Sequence, residues 1–286
     1  MVTPASALRG TRTRGVKLAN SVVGQFAMFG EMLVFFLRAV VDVPLVLRRY
    51  RKEYFRLLGE VTFGGRIFAI VASTVVVAAL LSAVVGVQLA LEGYQGLQII
   101  GLGPLAGYLS AFANTRELTP LLTAFGLAAQ MGCRFTSELG AMRVTEEIDA
   151  LEVMSIPSLA YLVTTRMLAA LTVAVPLYLA ALAGAYLATQ LTVIAVAQQG
   201  SGTYLHYFHE FLTGRDVLLS VLKVVVFAVL VTAIHCYYGF NTKGGPEGVG
   251  RAAGRAIRAS VVSIAVSDML MTVLFWGTSS PVKITG

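Results

Sequence analysis

Arg116 and Glu117 stand side by side in a long apolar stretch, and Asp268 interrupts another near the C-terminal end. Ionisable side chains are costly in hydrocarbon, so such residues mark a ligand pathway, a proton relay or a partner. An arginine there can hold a phosphate or carboxylate through several donors while a neighbouring acid balances its charge. Apolar walls such as Leu91 and Leu118 would accept an acyl chain. A second group, His206, His209 and Glu210, has the spacing to put ligands on one helical face, as a metal site would. No convincing third ligand is near in sequence, and Tyr204, Tyr207, Phe208 and Phe211 around it suit an aromatic belt at a membrane interface better. The glycines from Gly244 to Gly254 lack the preceding strand and the motif order of a phosphate-binding loop. None of Lys17, Lys52, Lys223, Lys243 or Lys283 follows a glycine, so there is no P-loop and nucleotide binding must come from another chain.

The third group is acidic. Five of the chain's 15 Asp and Glu residues, Glu138, Glu146, Glu147, Asp149 and Glu152, fall between two apolar stretches. Thr145 as N-cap would put Glu146, Glu147 and Asp149 in a first turn, where the helix dipole favours negative charge. Val144, Ile148 and Leu151 then share one face, the acids lie elsewhere, and Pro157 restricts Ile156 and ends the helix. The expected result is a short helix with an apolar ridge and an acidic flank.

The elements that position these residues follow from composition. With 57% hydrophobic and 13% charged residues, the apolar excess is too large for one soluble core. Stretches free of Asp, Glu, Lys and Arg are each about as long as the ~20 residues a bilayer requires. Spans are expected at Ile67–Leu91, within Leu97–Leu139, within Leu159–Gln190, at Val217–Tyr238, and from the basic loop ending at Arg258 to Trp276. The second is broken by Asn114, Arg116, Glu117 and Pro120 and entered through a short outer helix. Residues Leu18 to Leu47 carry Phe26, Phe29, Leu33, Phe36 and Val40 at helical spacing, but Glu31, Arg38 and Asp42 interrupt the would-be interior. Basic clusters flank both ends, so this segment reads as an interfacial helix on the cytoplasmic surface. Residues 1–60 are thus a basic N-terminus and residues 61–286 the transmembrane domain. The topology places 18 of 22 Lys and Arg residues on the cytoplasmic side, with the N-terminus inside and the C-terminus outside.

A net charge of +7 could suggest nucleic acid, but the basic residues flank apolar spans, so lipid headgroups are the expected counter-ions and nucleic acid is excluded. Cys133 and Cys236 show no pairing pattern and read as core residues; His235 beside the latter reads as buried packing. No cleavable signal peptide is visible.

The run Thr115 to Pro120 (TRELTP), followed by Glu138-Leu139-Gly140, Met142-Arg143 and Thr145 to Met154, resembles the MlaE/YrbE permeases of MCE lipid transport systems. Gln88 to Tyr94, Gly239 to Arg255 and Asp268 extend the resemblance over about residues 60 to 278. It looks most like the actinobacterial, mycobacterial YrbE branch, with a B-type paralogue as one assignment. The resemblance implies an all-α integral membrane protein of about five transmembrane helices in the bacterial inner membrane. It implies the permease of an ATP-driven transporter of long-chain lipids, such as fatty acids, mycolic acids, phospholipids or sterols, with import as its direction. Its implied lipid cavity takes Tyr94, Arg116 and Glu117, with Leu91, Leu118 and Asp268 beside them. Its implied coupling helix takes Arg143, Thr145, Glu146, Glu147, Ile148, Asp149, Leu151 and Glu152. The implied partners are an ABC ATPase carrying ATP and Mg, MCE-domain proteins, and a second permease, a paralogous heterodimer being favoured over a homodimer. The chain itself is expected to hold no cofactor or metal and to be no enzyme. A proton-coupled secondary transporter relaying through Arg116, Glu117 and Asp268 is the alternative, ranked lower because only one region is interrupted and no inverted repeat is visible. A membrane-embedded lipid-modifying enzyme ranks lowest.

Overall fold

The structure, a computed structural model, describes residues 30–63 and 74–277. Among these every regular element is helical, as hydrocarbon demands of a backbone that must satisfy its own hydrogen bonds. Residues 30–41 form α1, followed by α2 (Val43–Arg49), α3 (Arg51–Phe63) and α4 (Thr74–Ile99). Residues 106–144 are helical without a break: α5 (Ala106–Ala113), a π turn (Asn114–Leu118), α6 (Thr119–Leu127), a second π turn (Ala128–Gly132) and α7 (Cys133–Val144). Then come α8 (Glu147–Val153), a third π turn (Leu159–Thr164), α9 (Thr165–Ala195), α10 (Ser201–Phe211), α11 (Gly214–Phe240) and α12 (Gly245–Trp276).

Among the described residues, four helical stretches are long and apolar enough to cross a membrane: Val75–Ile99, Leu159–Ala195, Gly214–Phe240 and Gly245–Trp276. The first expected span is displaced. Residues 64–73 lie outside the described residues, and α4 continues past Leu91 through Glu92 to Ile99. Glu92 does not end it because the exposed carboxylate accepts from Gln88, one turn earlier. The second expected span is not broken at its polar residues. Instead the helix widens into the π turn Asn114–Leu118 immediately before Pro120, the second residue of α6, and continues through it. Interruption is also not confined to this region, since π turns recur at Ala128–Gly132 and Leu159–Thr164.

Packing centres on α9, which lies along α4 and buries Met167, Ala174, Leu177, Tyr178 and Ala181 against Phe135, Leu139 and Val224. Gly86 lets α4 approach closely: a β-carbon there would fall 2.6 Å from the Ala185 carbonyl oxygen and 2.9 Å from the Thr189 hydroxyl. Thr189 uses that proximity to donate to Gly86 O at 3.0 Å. His235, fully buried as expected, takes a hydrogen bond of 2.8 Å between its Nδ1 and Thr136 Oγ1 and another of 3.3 Å between its Nε2 and Ser260 Oγ, tying α7, α11 and α12 together.

The N-terminal segment divides at Asp42, where Pro44 opens α2. Leu18, Phe26, Phe29 and the first basic cluster lie outside the described residues. Ala39 and Val46 are buried against the bundle, Thr164 donates to Ala39 O at 2.9 Å, and Phe35 meets Tyr237 and Phe240 at 5.6 Å. Leu33, Val34, Leu37, Val40 and Val41 are exposed on the other side, as an amphipathic interfacial helix would present them.

Candidate functional site

Each polar side chain of the first π turn reaches a neighbouring helix. Asn114 Nδ2 donates to Thr189 Oγ1 at 3.1 Å, and Thr115 shares a short hydrogen bond with the Tyr186 hydroxyl. Arg116 and Glu117 each find a partner on α11. Arg116 pairs with Asp216 at 3.1 Å, and its guanidinium lies over the rings of Phe112 at 4.6 Å and Trp276 at 5.1 Å. Glu117 pairs with Lys223 at 3.3 Å and accepts from Thr272 Oγ1 at 2.8 Å. The expectation that the two adjacent charges balance one another is therefore corrected: successive helical side chains diverge, so neither faces the other.

Lys223 is the centre of this arrangement. It is wholly buried, and its ammonium lies 2.6 Å from Asp268 and donates to Thr272 Oγ1 and to Arg116 O, both at 2.8 Å. Pro120 explains the last contact, because it has no N–H to offer the carbonyl one turn before it. The Asp216 carboxylate is held from three sides, by Arg116, by Trp276 Nε1 at 2.5 Å and by Thr213 Oγ1 at 2.7 Å. Two cations and three acids thus interlock across the π turn, α11 and α12.

Of the residues expected in the cavity, the structure brings together Arg116, Glu117 and Asp268. Leu118 is half-buried on the same turn. Tyr94 is placed elsewhere: its hydroxyl accepts from Gln98 Nε2 at 2.9 Å, and its ring packs with Ala90, Ala106 and Tyr204. It lines a cleft of about 350 Å³ with Gly103, Gln199 and Thr203. Leu91 is half-buried on α4. Tyr204, on α10, is fully buried, and burial raises its phenol above the usual tyrosine range, with the Ser110 hydroxyl opposing. His206 and His209 lie on α10 against Tyr207 and Phe208, and among the described residues no three metal-binding side chains converge.

Sequence reasoning missed Lys223, Asp216, Thr272 and Trp276. Lys223 carried a usable signal as the one Lys, Arg, Asp or Glu between Val217 and Thr242. The rule that singled out Asp268 applies to it equally.

At the far end of the 106–144 helical run lies the acidic helix. Thr145 is not its N-cap: it closes α7, and Glu146 starts α8 with φ 61°. Thr145 Oγ1 donates back to Ala141 O at 3.1 Å and forward to Glu147 Oε1 at 3.0 Å, so its hydroxyl is taken from the α8 amides. Glu147 and Asp149 do occupy the first turn. The helix ends at Val153, before Pro157 can act, because Ser155 turns left-handed at φ 59° and lets Ile156 N reach Leu151 O at 3.0 Å.

The apolar ridge faces inward. Ile148 is fully buried in the core and Leu151 packs against it, while Glu146, Glu147, Asp149, Glu152, Val153 and Met154 are exposed. Arg143 holds Asp149 at 2.6 Å, and Ser158 donates to Glu152 at 2.7 Å. One buried isoleucine thus fixes a mostly acidic surface to the end of the bundle.

An all-helical chain with four membrane-length helices, charges buried between them and an exposed acidic helix at one end is a multi-pass membrane permease. It belongs to the MlaE permease family, whose description, Permease MlaE, matches residues 63–274. A probable ABC transporter permease protein of Rickettsia bellii is 29% identical over 92% of this chain and 95% of its own length. A second from Rickettsia prowazekii is 32% identical over 67% of this chain and 74% of its own. Protein TRIGALACTOSYLDIACYLGLYCEROL 1, chloroplastic, of Arabidopsis thaliana is 30% identical over 69% of this chain and 56% of its own.

Proposed function

We propose that this chain is the membrane subunit of an ATP-driven lipid importer of the MCE type in a bacterial inner membrane, acting with a separate ATPase that binds ATP and Mg. The observation that carries this reading is the helical run of residues 106–144, with a buried charge cluster near its first end and α8 beyond its last. From Arg116 to Val144 a helix rises ~42 Å at 1.5 Å per residue, more than the ~30 Å of a bilayer core. The run therefore serves as the fifth crossing. In this reading the ATPase docks on the acidic face of α8, and Ile148 passes its displacement into the core. Long-chain lipids, among them fatty acids, mycolic acids, phospholipids and sterols, are taken up at the opposite end, near Arg116 and Glu117. A headgroup phosphate or carboxylate would compete with Asp216 for the guanidinium, which makes capture and release one exchange of partners. Membership of the YrbE branch, pairing with a paralogous second permease and delivery through MCE-domain proteins belong to the same proposal.

The interlocked Glu117, Lys223 and Asp268 also favour a second reading, a proton relay in a secondary transporter. Purification with co-expressed partners separates the two. Lipid-stimulated ATP hydrolysis and co-purified lipid detected by mass spectrometry are expected. Uptake by the lone chain driven by a proton gradient would overturn the first reading. Orientation is tested by single cysteines at Gly250 and Gly202, in a background with Cys133 and Cys236 replaced. Only the Gly202 site should react with an impermeant thiol reagent in intact cells.

A further inference from the structure

At the other end of α11 and α12 from Lys223, the basic residues Lys243, Arg251, Arg255 and Arg258 surround one cleft of about 860 Å³. Glu31, Tyr237 and Asn241 line it as well. Arg251 has an exposed partner in Glu247 at 3.3 Å, and Glu31 accepts from the Tyr237 hydroxyl at 3.0 Å. Lys243, Arg255 and Arg258 pair with no carboxylate among the described residues; the Arg255 guanidinium lies 5.7 Å from the Tyr238 ring. Beside the cleft runs an apolar groove of about 340 Å³, walled by Leu33, Phe36, Leu230, Ala233, Ile234 and Ala259. Both are lined by α1, α11 and α12, the cleft by Glu31, Tyr237 and Arg258 and the groove, further along the same three helices, by Phe36, Ile234 and Ser263.

Charge and shape together select the occupant. A soluble polyanion would fill the cleft and leave the groove wet; a neutral lipid would fill the groove and leave three cations bare. Residues 1–29 contain Arg9, Arg12, Arg14 and Lys17 but no acid, so their sequence offers these cations no counter-charge. We propose that cleft and groove form one site for an anionic phospholipid, its phosphate on Arg255, Arg258 and Lys243 and one acyl chain along the groove. Tyr238 lies 15 residues beyond Lys223, ~22 Å along α11 at 1.5 Å per residue, so this lipid occupies the leaflet opposite to the buried charge cluster. It bridges α1 to α11 and α12 and acts as a tether. The site rests on the proposal that these helices cross the bilayer, but not on which lipid is transported.

The test uses the complex purified with its ATPase, exchanged into nanodiscs of equimolar phosphatidylglycerol and phosphatidylcholine. Lipids retained after transfer to detergent are counted by native mass spectrometry. Wild type should keep phosphatidylglycerol over phosphatidylcholine by about tenfold. The variant Arg255→Gln/Arg258→Gln should lose that preference, and Ala259→Leu, which fills the groove and spares the cations, should lower retention of both lipids. Thermal unfolding in phosphatidylcholine alone identifies a variant that merely misfolds, in which case Ala259→Leu decides. No preference in wild type, or a preference that survives both variants, would overturn the site. Displacement of the bound lipid by inorganic phosphate, with Ala259→Leu indistinguishable from wild type, would also overturn it, as a site for free phosphate. If phosphatidylglycerol is retained while no lipid stimulates ATP hydrolysis, the transport reading falls and this site stands; the reverse pattern removes this site alone.

Discussion

The Lys223 ammonium lies 2.6 Å from the Asp268 carboxylate, in a pocket that leaves the lysine no exposure to solvent. Since Glu117 approaches the same nitrogen at 3.3 Å, three segments distant in sequence meet at one cation. Such a group is expensive to orphan, because removing one partner leaves an uncompensated buried charge.

Lys223→Met should therefore destabilise the protein by ~3–5 kcal/mol, because the buried Asp268 and the half-buried Glu117 would lose their cation. Lys223→Met with Asp268→Asn should recover part of that loss, as Glu117 keeps Thr272. Thermal unfolding in detergent reads both variants; equal midpoints for the single and the double would show that Asp268 is not the partner that matters.

Arg116→Gln and Asp216→Asn should prove non-additive. Each alone strands one member of the 3.1 Å pair, so the coupling energy should lie in the range ~0.5–3 kcal/mol expected for contacting residues. If Arg116 also holds the headgroup of the transported lipid, the double variant should fold and bind its ATPase yet carry less co-purified lipid. Wild-type lipid occupancy in that assembled variant would leave the pair as an anchor between the π turn and α11.

Glu147→Lys with Asp149→Lys should abolish ATPase binding while leaving the permease inserted, since both side chains are exposed and α8 is seated by Ile148 and Leu151. Ile148→Ala should behave differently, costing ~2–5 kcal/mol as a core truncation. A pull-down with the ATPase checks the first and thermal unfolding the second; retention of normal ATPase binding by the charge-reversed variant would remove α8 from the docking surface.

Gly107→Ala should loosen α10, because a β-carbon there would enter the van der Waals envelope of the Tyr204 carbonyl oxygen and come within 2.8 Å of Phe208 N. The measurable sign is faster hydrogen exchange in residues 201–211, with α11 unaffected. Unchanged exchange would mean that the helices yield at no cost.

The helical class, two of the four membrane-length helices to within a few residues, and the acidic helix were legible because each depends on local composition; the last helix instead starts at Gly245, so most of the expected basic loop ending at Arg258 is helical. Asp268, Arg116 and Glu117 could be singled out because a charge among apolar neighbours is visible in one dimension. Their pairing was not, since Asp216 and Lys223 lie about a hundred residues away and only packing brings them near. Thr145 illustrates a second limit: its type suits an N-cap, but the chain turns left-handed at Glu146 and moves the start of the helix one residue onward. Pro120 illustrates a third, in that the sequence marks a disturbance while the structure absorbs it as a wider turn.

That wider turn has a consequence for inheritance. A π turn carries one residue more than the α-helical turn it replaces, so Asn114–Leu118 stores an insertion without breaking the rod. Deleting one residue there would restore α geometry and leave everything downstream nearly in its present phase, because the wider turn already absorbs the ~100° that an added residue would impose on a regular helix. The acidic face of α8 would keep its side of the bundle. What the deletion removes is the widening from which Arg116 and Glu117 reach α11. A deletion of Leu118 that still retains the ATPase but unfolds at a lower temperature would reveal it, and lost ATPase retention at unchanged stability would refute it.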